Sequence, residues 1–123
     1  MQYVIIDTSS ILFSLSFRKD AFSIAERRFH ALPLISKGVI RELRGISTNR
    51  GKKGQTARTA LSLIRVKKVK VDNDNGNVDS WVYRTAAKGK ACAVVTNDTA
   101  LFRRVKLSNR NVFKLSKNGL LKR

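Results

Sequence analysis

Apolar and polar residues follow one another along the chain in blocks that predict strands separated by helices. Tyr3–Ile6 and Ala91–Thr96 are continuous apolar runs, a pattern typical of strands that are buried on both faces of a parallel sheet. Three shorter strands are predicted at Ala31–Ile35, Val66–Val71 and Asn111–Leu115. The first and fourth strands are therefore expected to form the centre of the sheet.

Apolar residues at helical spacing predict helices between these strands. A first helix is expected around Ile11, and Asp20 can cap a second one. Ser36 and Asn97 are the predicted N-caps of two further helices. The remaining predicted helices are Ala57–Ile64 and Val78–Ala87. Strands that alternate with helices indicate βα units around a parallel sheet, and so an α/β fold.

Polar segments connect these elements. Residues 47–56 are predicted to be a basic, Gly-punctuated loop, and residues 72–77 a turn-rich loop. Residues 116–123 are predicted to be a basic C-terminal tail. Because no repeat, low-complexity segment or linker interrupts the pattern, residues 1–123 are expected to form one domain.

Composition excludes several classes of protein. No apolar run approaches the length of a membrane span, so no membrane partner is expected. The apolar start is interrupted by Asp7 and is interpreted as a core strand rather than a signal peptide, which favours a cytoplasmic protein. With a single cysteine, Cys92, and a single histidine, His30, the chain can form neither an internal disulfide nor a Cys/His zinc site.

The net charge points to a polyanionic partner. Lysine and arginine total 26 against 8 acids, which gives a formal net charge of +18. Such an excess favours binding to nucleic acid through phosphate contacts and counterion release. Residues 47–56 carry Arg50, Lys52 and Lys53, which we expect to contact RNA phosphates; the alternative is a solvated turn.

Four of the eight acids are predicted to lie at one edge of the sheet. Asp7 and Asp98 each follow an apolar strand, and ligands of open α/β sheets gather at the carboxyl ends of strands. Glu42 and Asp79 lie early in helices that start near the same edge. Four neighbouring carboxylates repel one another unless a cation is present, and hard oxygen ligands suit Mg²⁺ or Mn²⁺. Each acid alone could instead be a helix cap, a partner of a helix dipole or a solvated residue.

These motifs resemble those of PIN domains. Residues 4–12 resemble the opening of the family, residues 39–43 its second acidic motif and residues 78–86 its third. Residues 94–104, with Thr-Asn-Asp, resemble the fourth and most distinctive motif. The order and spacing cover almost the whole chain, and the resemblance is nearest to compact archaeal PIN proteins, which are related to rRNA-processing PIN nucleases and VapC toxins.

The resemblance implies a three-layer α/β/α sandwich with a central parallel sheet of about five strands. It implies an endoribonuclease that uses one or two Mg²⁺ or Mn²⁺ ions, and often a homodimer. The metal ligands and catalytic residues would be Asp7, Glu42, Asp79 and Asp98, with Thr8, Ser9 and Thr96 as supporting polar groups. Ser80 stands where several relatives carry a further acid, which leaves a second metal position open.

Three functions remain open at this point. The first is a metal-dependent endoribonuclease, for which the charge favours a ribosomal RNA or pre-rRNA substrate, with a ribosomal protein as a further candidate partner. The second is a non-catalytic RNA- or ribosome-associated protein with the same fold. The third is a VapC-type toxin ribonuclease, whose partner would be an antitoxin protein.

Overall fold

The structure, a computed structural model, describes residues 2–108 and 111–123; Met1, at which the predicted domain begins, lies outside this range. The strands within the described residues are β1 (Tyr3–Ile6), β2 (Leu32–Ser36), β3 (Lys70–Asp72), β4 (Ala91–Val95), β5 (Val112–Leu115) and β6 (Leu121–Lys122). The helices are α1 (Thr8–Ser16), α2 (Ala21–Phe29), α3 (Lys37–Ser47), α4 (Lys52–Lys67), α5 (Val78–Ala87) and α6 (Thr99–Leu107). Strands and helices alternate in an α/β arrangement, as the sequence pattern predicted.

The strands form one sheet in the order β3-β2-β1-β4-β5-β6. The first five are parallel, which confirms the predicted parallel sheet of about five strands, whereas β6 pairs antiparallel to β5. From β1 the chain builds outward first through β2 and β3, and later through β4 and β5 on the other side. The strand order therefore reverses between β1 and β4, and their carboxyl ends meet at this switch point.

The core lies around β1 and β4. Ile5, Ile6 and Val95 are fully buried or nearly so, as expected for strands covered on both faces. The β1–β2 crossover runs across the sheet in one direction and the β4–β5 crossover in the other, so right-handed connections place their helices on opposite faces of the sheet. Three layers result, and helices α1, α3, α5 and α6 all begin at or beyond the carboxyl edge of the sheet.

The prediction of a loop over residues 47–56 was wrong in its second half. Helix α4 begins at Lys52 and continues to Lys67, beyond the predicted Ala57–Ile64. Its buried face consists mainly of small residues, Gly54, Ala57 and Ala60, so the usual signal from large apolar side chains is absent. A Cβ atom at Gly54 would lie 1.9 Å from the carbonyl oxygen of Asn49, so only glycine permits this close approach.

The predicted strand Val66–Val71 was also misplaced. Val66 and Lys67 belong to α4, and Lys68 ends that helix with a φ of 54°. Strand β3 starts only at Lys70, and Val66 is 73% exposed. The alternation of valine and lysine suggested a strand, but here the valine lies on the solvent side of the last helical turn.

Three smaller predictions change as well. Asp98, not Asn97, caps α6, because its side chain accepts the hydrogen bond from the Leu101 amide. The strand predicted at Ala31–Ile35 lies one residue later, and the other strand ends shift by about one residue. The C-terminal segment is not only a basic tail: Leu121–Lys122 pairs with β5 in a hairpin. The predicted caps Asp20 and Ser36 are confirmed.

None of the helices in the described part of the chain combines the length and the apolar character needed to cross a membrane.

Candidate active site

The candidate site is centred on Asp7, which follows β1 and caps α1. One of its carboxylate oxygens accepts hydrogen bonds from the Ser9 hydroxyl (2.8 Å) and the Ser10 amide (3.1 Å). The other accepts a 2.6 Å hydrogen bond from the Thr96 hydroxyl. Asp7 is only 3% exposed. Burial raises its pKa from 3.8 to about 6, although these three hydrogen bonds act in the opposite direction.

Thr96 connects the two central strands at their carboxyl ends. It follows β4 directly and is fully buried. Besides donating to Asp7, its hydroxyl oxygen accepts a hydrogen bond from the Asp98 backbone amide at 3.1 Å. The Asp98 side chain caps α6 and is half-buried. Asp7 and Asp98 follow neighbouring strands, and both contact the Thr96 hydroxyl, Asp7 through its carboxylate and Asp98 through its backbone amide.

The charge of Asp79 interacts with those of both Asp7 and Asp98. Asp79 is in the first turn of α5 and is exposed. Partial burial and then the charge of Asp98 raise its pKa, whereas the nearby Arg104 lowers it. The charge of Asp79 also contributes to the raised pKa of Asp7. Asp79 thus lies close enough to both Asp7 and Asp98 for their charges to interact with its own.

Glu42 lies on α3, which follows β2, whereas Asp98 follows β4 on the other side of β1. Glu42 lies in the second turn of α3 and is exposed, and its carboxylate accepts a 2.6 Å hydrogen bond from the Thr8 hydroxyl. Thr8 is the first residue of α1 and follows Asp7 directly. The supporting residues divide accordingly: Thr8 orients Glu42, whereas Ser9 and Thr96 orient Asp7.

The chemistry of these side chains suits a hard divalent cation. All four acids offer oxygen ligands, and none of them forms an ion pair among the described residues, whereas Asp20 and Asp74 do. Glu26 and Asp72 likewise form no ion pair among the described residues, so the location of the four acids at one edge of the sheet, rather than the lack of a paired lysine or arginine, suggests a cation site. Within the described residues, however, no three carboxylate, histidine or cysteine side chains approach closely enough to hold one ion.

The predicted RNA-binding residues lie at and just before the start of α4. Arg50 is in the short connection before α4, and Lys52 and Lys53 form the first turn of that helix. All three are exposed. The two lysines line a groove with Leu12 and Phe13 of α1. Their exposure fits contact with a polyanion.

Asn97 is a structural residue of the site that sequence reasoning treated only as a cap. Its side-chain oxygen accepts hydrogen bonds from the Ser10 hydroxyl (2.8 Å) and the Leu115 amide (3.1 Å), and its amide nitrogen donates to the Leu115 carbonyl (2.9 Å). Its backbone amide donates to the Ser9 hydroxyl. Asn97 therefore fixes the start of α1 against β5. Its place between Thr96 and Asp98 was the available signal.

Arg41 is a second residue that the sequence did not single out. Its guanidinium donates to both the carbonyl and the side-chain oxygen of Asn75, and to the Gly76 carbonyl at 3.1 Å. These contacts hold the loop that leads into α5, and thus into Asp79. Arg41 lies within the motif at residues 39–43, but the signal of that motif is Glu42, and nothing in the sequence distinguishes Arg41 from the other basic residues.

Thr96→Val is expected to lower activity at this site by roughly 10- to 100-fold, the usual cost of removing a group that orients a ligand. Valine keeps the shape but removes both the hydrogen bond to Asp7 and the acceptor for the Asp98 amide. The rate of metal-dependent RNA cleavage is the measurement, and Thr96→Ser, which keeps the hydroxyl, should restore most of it. A folded valine variant with the wild-type rate would show that this hydroxyl does not organise the site.

Comparisons with known proteins were made on both sequence and structure. A family model described as a PIN-like domain matches residues 4–118. The chain is similar to the PIN domain endonuclease Utp24, with 23% identity, a TM-score of 0.74 and coverage of 98% of this chain and 93% of that one. A domain of a functionally unknown protein from Methanocaldococcus jannaschii DSM 2661 is 16% identical, with a TM-score of 0.62 and coverage of 94% and 92%. A search of curated proteins found no match. At these identities the structural matches establish a shared fold.

Proposed function

This chain belongs to the PIN-like domain family, and from that premise we propose that it is a metal-dependent endoribonuclease that hydrolyses RNA phosphodiester bonds. The observation that carries the proposal is the Asp7 carboxylate at the β1/β4 switch point: burial, with a smaller contribution from the charge of Asp79, raises its pKa, and it forms no ion pair among the described residues. Burying a charge without compensation is costly. A cation bound at Asp7 would compensate that charge and offset the cost.

Asp7, Glu42, Asp79 and Asp98 are the residues that would hold Mg²⁺ or Mn²⁺. Bound there, such an ion supplies charge stabilisation for a phosphodiester and activation of a water molecule. Glu42 and Asp79 are exposed and Asp98 is half-buried. We expect their side chains to rotate towards Asp7 when the ion binds, since exposed side chains have rotamer freedom that Asp7 lacks.

The residues of the candidate site would have different roles in the reaction. Asp7 is almost inaccessible and both of its oxygens accept hydrogen bonds, so its role is to fix one position rather than to exchange protons with substrate. Asp79 and Glu42 are open to solvent and can meet water and RNA. Thr8 keeps Glu42 turned towards the site. Pre-oriented groups of this kind lower the reorganisation needed during reaction.

RNA is the proposed substrate because of the charge. A net charge of +18 on 123 residues attracts phosphate backbones at long range and releases counterions on contact. We propose ribosomal RNA or its precursor as the physiological target, since a large folded polyanion offers many such contacts. A toxin would instead act on RNA only when released from an antitoxin protein, so co-purification of a small protein inhibitor would favour that alternative.

An RNA-binding protein without catalysis is the second candidate. It is favoured by the observation that no three acidic side chains among the described residues approach ligand distance for one ion. Circular single-stranded RNA distinguishes the two candidates, because only an endonuclease can open a molecule without ends. We expect Mn²⁺-dependent conversion of circles to linear molecules. Binding of intact circles in Mn²⁺, Mg²⁺ and EDTA alike would support the second candidate.

Replacing Arg50, Lys52 and Lys53 with alanine is expected to weaken RNA binding and to reduce the slope of log Kd against log salt by about 2 to 3. Each of these exposed cations would otherwise neutralise one phosphate. Affinity for a fluorescent single-stranded RNA, measured over a salt series, is the readout.

The matched control for this variant is alanine at Arg65, Lys88 and Lys90. These cations are also exposed but lie near the starts of β3 and β4, at the opposite edge of the sheet. The two triple variants carry the same net charge, so a purely long-range effect would weaken binding equally in both. Equal losses would therefore contradict a specific role for the loop and the first turn of α4.

A further inference from the structure

Arg104 has a geometry unlike that of the other basic residues near the candidate site. It is exposed on α6, and its guanidinium carbon lies 4.3 Å from the centre of the Tyr83 ring on α5. This is the shortest cation–aromatic contact in the described part of the chain, where the others range from 4.9 to 5.7 Å. A contact this close holds the guanidinium against the half-buried ring.

The Tyr83 ring places this guanidinium beside the acids. Tyr83 follows Asp79 by four residues, so both side chains lie on the same face of α5. Arg104 therefore lies next to Asp79 without forming an ion pair with it within 4.0 Å, and it lowers the pKa of that carboxyl through space. Among the described residues its N–H groups have no hydrogen-bond acceptor, so they are available to a ligand.

We propose that Arg104, supported by the Tyr83 ring, binds a phosphate of the RNA strand immediately beside the carboxylate cluster. The proposal rests on the proposed function and specifies how the substrate is held there. A guanidinium that contacts an aromatic ring keeps its N–H edges free, and these edges match two phosphate oxygens. Because the ring already restricts the side chain, less conformational entropy is lost when phosphate binds.

Two other arginines near the site already bind protein groups. Arg41 donates to the loop at Asn75 and Gly76, and Arg84 forms a 3.0 Å ion pair with Asp74. Arg103 precedes Arg104 on the same helix and is equally exposed, but no aromatic ring in the described residues supports it. Consecutive helical residues point about 100° apart, so Arg103 carries the same charge in another direction. It is a matched control.

The test compares Arg104→Ala, Arg104→Lys and Arg103→Ala. On a short single-stranded RNA cleaved in Mn²⁺, Arg104→Ala is expected to lower kcat/KM by about 10- to 100-fold, the range for a lost charged hydrogen bond. Arg103→Ala should change it less than about 2-fold. Arg104→Lys keeps the charge but not the planar fork, so an intermediate loss is expected. Tyr83→Phe should behave like wild type, whereas Tyr83→Leu should reproduce part of the Arg104→Ala loss.

A chemical substitution in the RNA gives the most specific readout. Neutral methylphosphonate linkages are placed one at a time along the strand. One linkage near the cleaved bond should weaken the wild-type reaction but cause little further loss in Arg104→Ala, because the two changes remove the same contact. Full additivity at every linkage, or equal activity of Arg104→Ala and Arg103→Ala, would overturn the proposal while leaving the nuclease intact.

Binding measurements separate this proposal from the proposed function. The same variants and linkages are tested for affinity to the RNA in Ca²⁺, independently of cleavage. If the wild-type protein cuts nothing in any metal, the proposed function fails, yet a selective loss of affinity in Arg104→Ala still supports the phosphate contact. Identical affinities of Arg104→Ala and Arg103→Ala would overturn that contact too.

Discussion

Asp7→Asn is expected to lower metal-dependent RNA cleavage by at least about 1,000-fold, as loss of a charged ligand does in metal enzymes. The substitution leaves the structure largely intact, because asparagine is as good a helix N-cap as aspartate and its oxygen can accept the Ser10 amide bond that Asp7 accepts. What it removes is the negative charge at the centre of the candidate site. The measurement is the single-turnover cleavage rate in Mn²⁺.

Asp20→Asn is the matched control for this substitution. Asp20 is likewise the N-cap of a helix, α2, and it is paired with Lys67, outside the four-acid cluster. We expect its cleavage rate to remain close to that of the wild type. A folded Asp7→Asn variant that retained more than about a tenth of the activity would remove Asp7 from the metal-binding set and contradict the proposed site.

Asp7→Asn is also expected to stabilise the metal-free protein in a pH-dependent way. The free energy of unfolding of the variant minus that of the wild type should be about 3 kcal/mol larger at pH 7.5 than at pH 3.5. Burial raises the pKa of Asp7 from 3.8 to about 6, and a rise of this size corresponds to about 3 kcal/mol. In the wild type this group contributes stability that is fully present below pH 3.8 and is lost as pH rises through about 6. Asparagine cannot ionise, so the variant does not lose it.

Urea unfolding of both proteins in EDTA between pH 3.5 and 7.5 measures this effect. The difference between variant and wild type should grow between pH 4 and 6 and stay level above pH 7. Saturating Mn²⁺ at pH 7.5 should stabilise the wild type and not the variant, since only a binding-competent native state gains from the ion. A difference that is flat with pH would show that Asp7 is ionised without cost, and the argument for a compensating cation would fail.

The sequence predicted the centre of the fold well because its signal was local and strong. Tyr3–Ile6 and Val78–Ala87 have the predicted bounds, and Asp20 and Ser36 cap the helices they were expected to cap. Continuous apolar runs can be satisfied only in the middle of a covered sheet, so β1 and β4 had few alternatives. Their adjacency was only a condition of the predicted site, and it is the structure that shows it.

The errors lie where packing rather than pattern decides the structure. Helix α4 packs against its neighbours through glycine and alanine, which give little hydrophobic signal, and its first turns were therefore assigned to a loop. Strand β6 has only two residues and depends on its pairing with β5. A signal for that hairpin did exist, since Asn118-Gly119 is a common turn sequence and Gly119 has a φ of 80°.

The candidate site was predictable in its charges but not in its supporting contacts. The four acids stand out because acids are scarce in this chain and because three of them follow or open a predicted element, while Glu42 lies one turn into a predicted helix. The hydrogen bonds of Asn97 to Ser10 and Leu115 join segments that are far apart in sequence. The contact between Arg104 and Tyr83 depends on how α5 and α6 pack. Contacts of this kind are set by the tertiary structure and leave no local pattern.

Cleavage of end-labelled RNA by the purified protein tests the central claim most directly. Single-stranded and structured RNAs are incubated in Mn²⁺, Mg²⁺ and EDTA, with Asp98→Asn beside the wild type, because asparagine keeps the cap of α6 and removes only the charge. We expect internal cuts in Mn²⁺ or Mg²⁺, none in EDTA, and a loss of cutting but not of RNA binding in the variant. Tight binding without cutting in any metal, or cutting that persists in EDTA and in Asp98→Asn, would contradict a metal-dependent nuclease at this site.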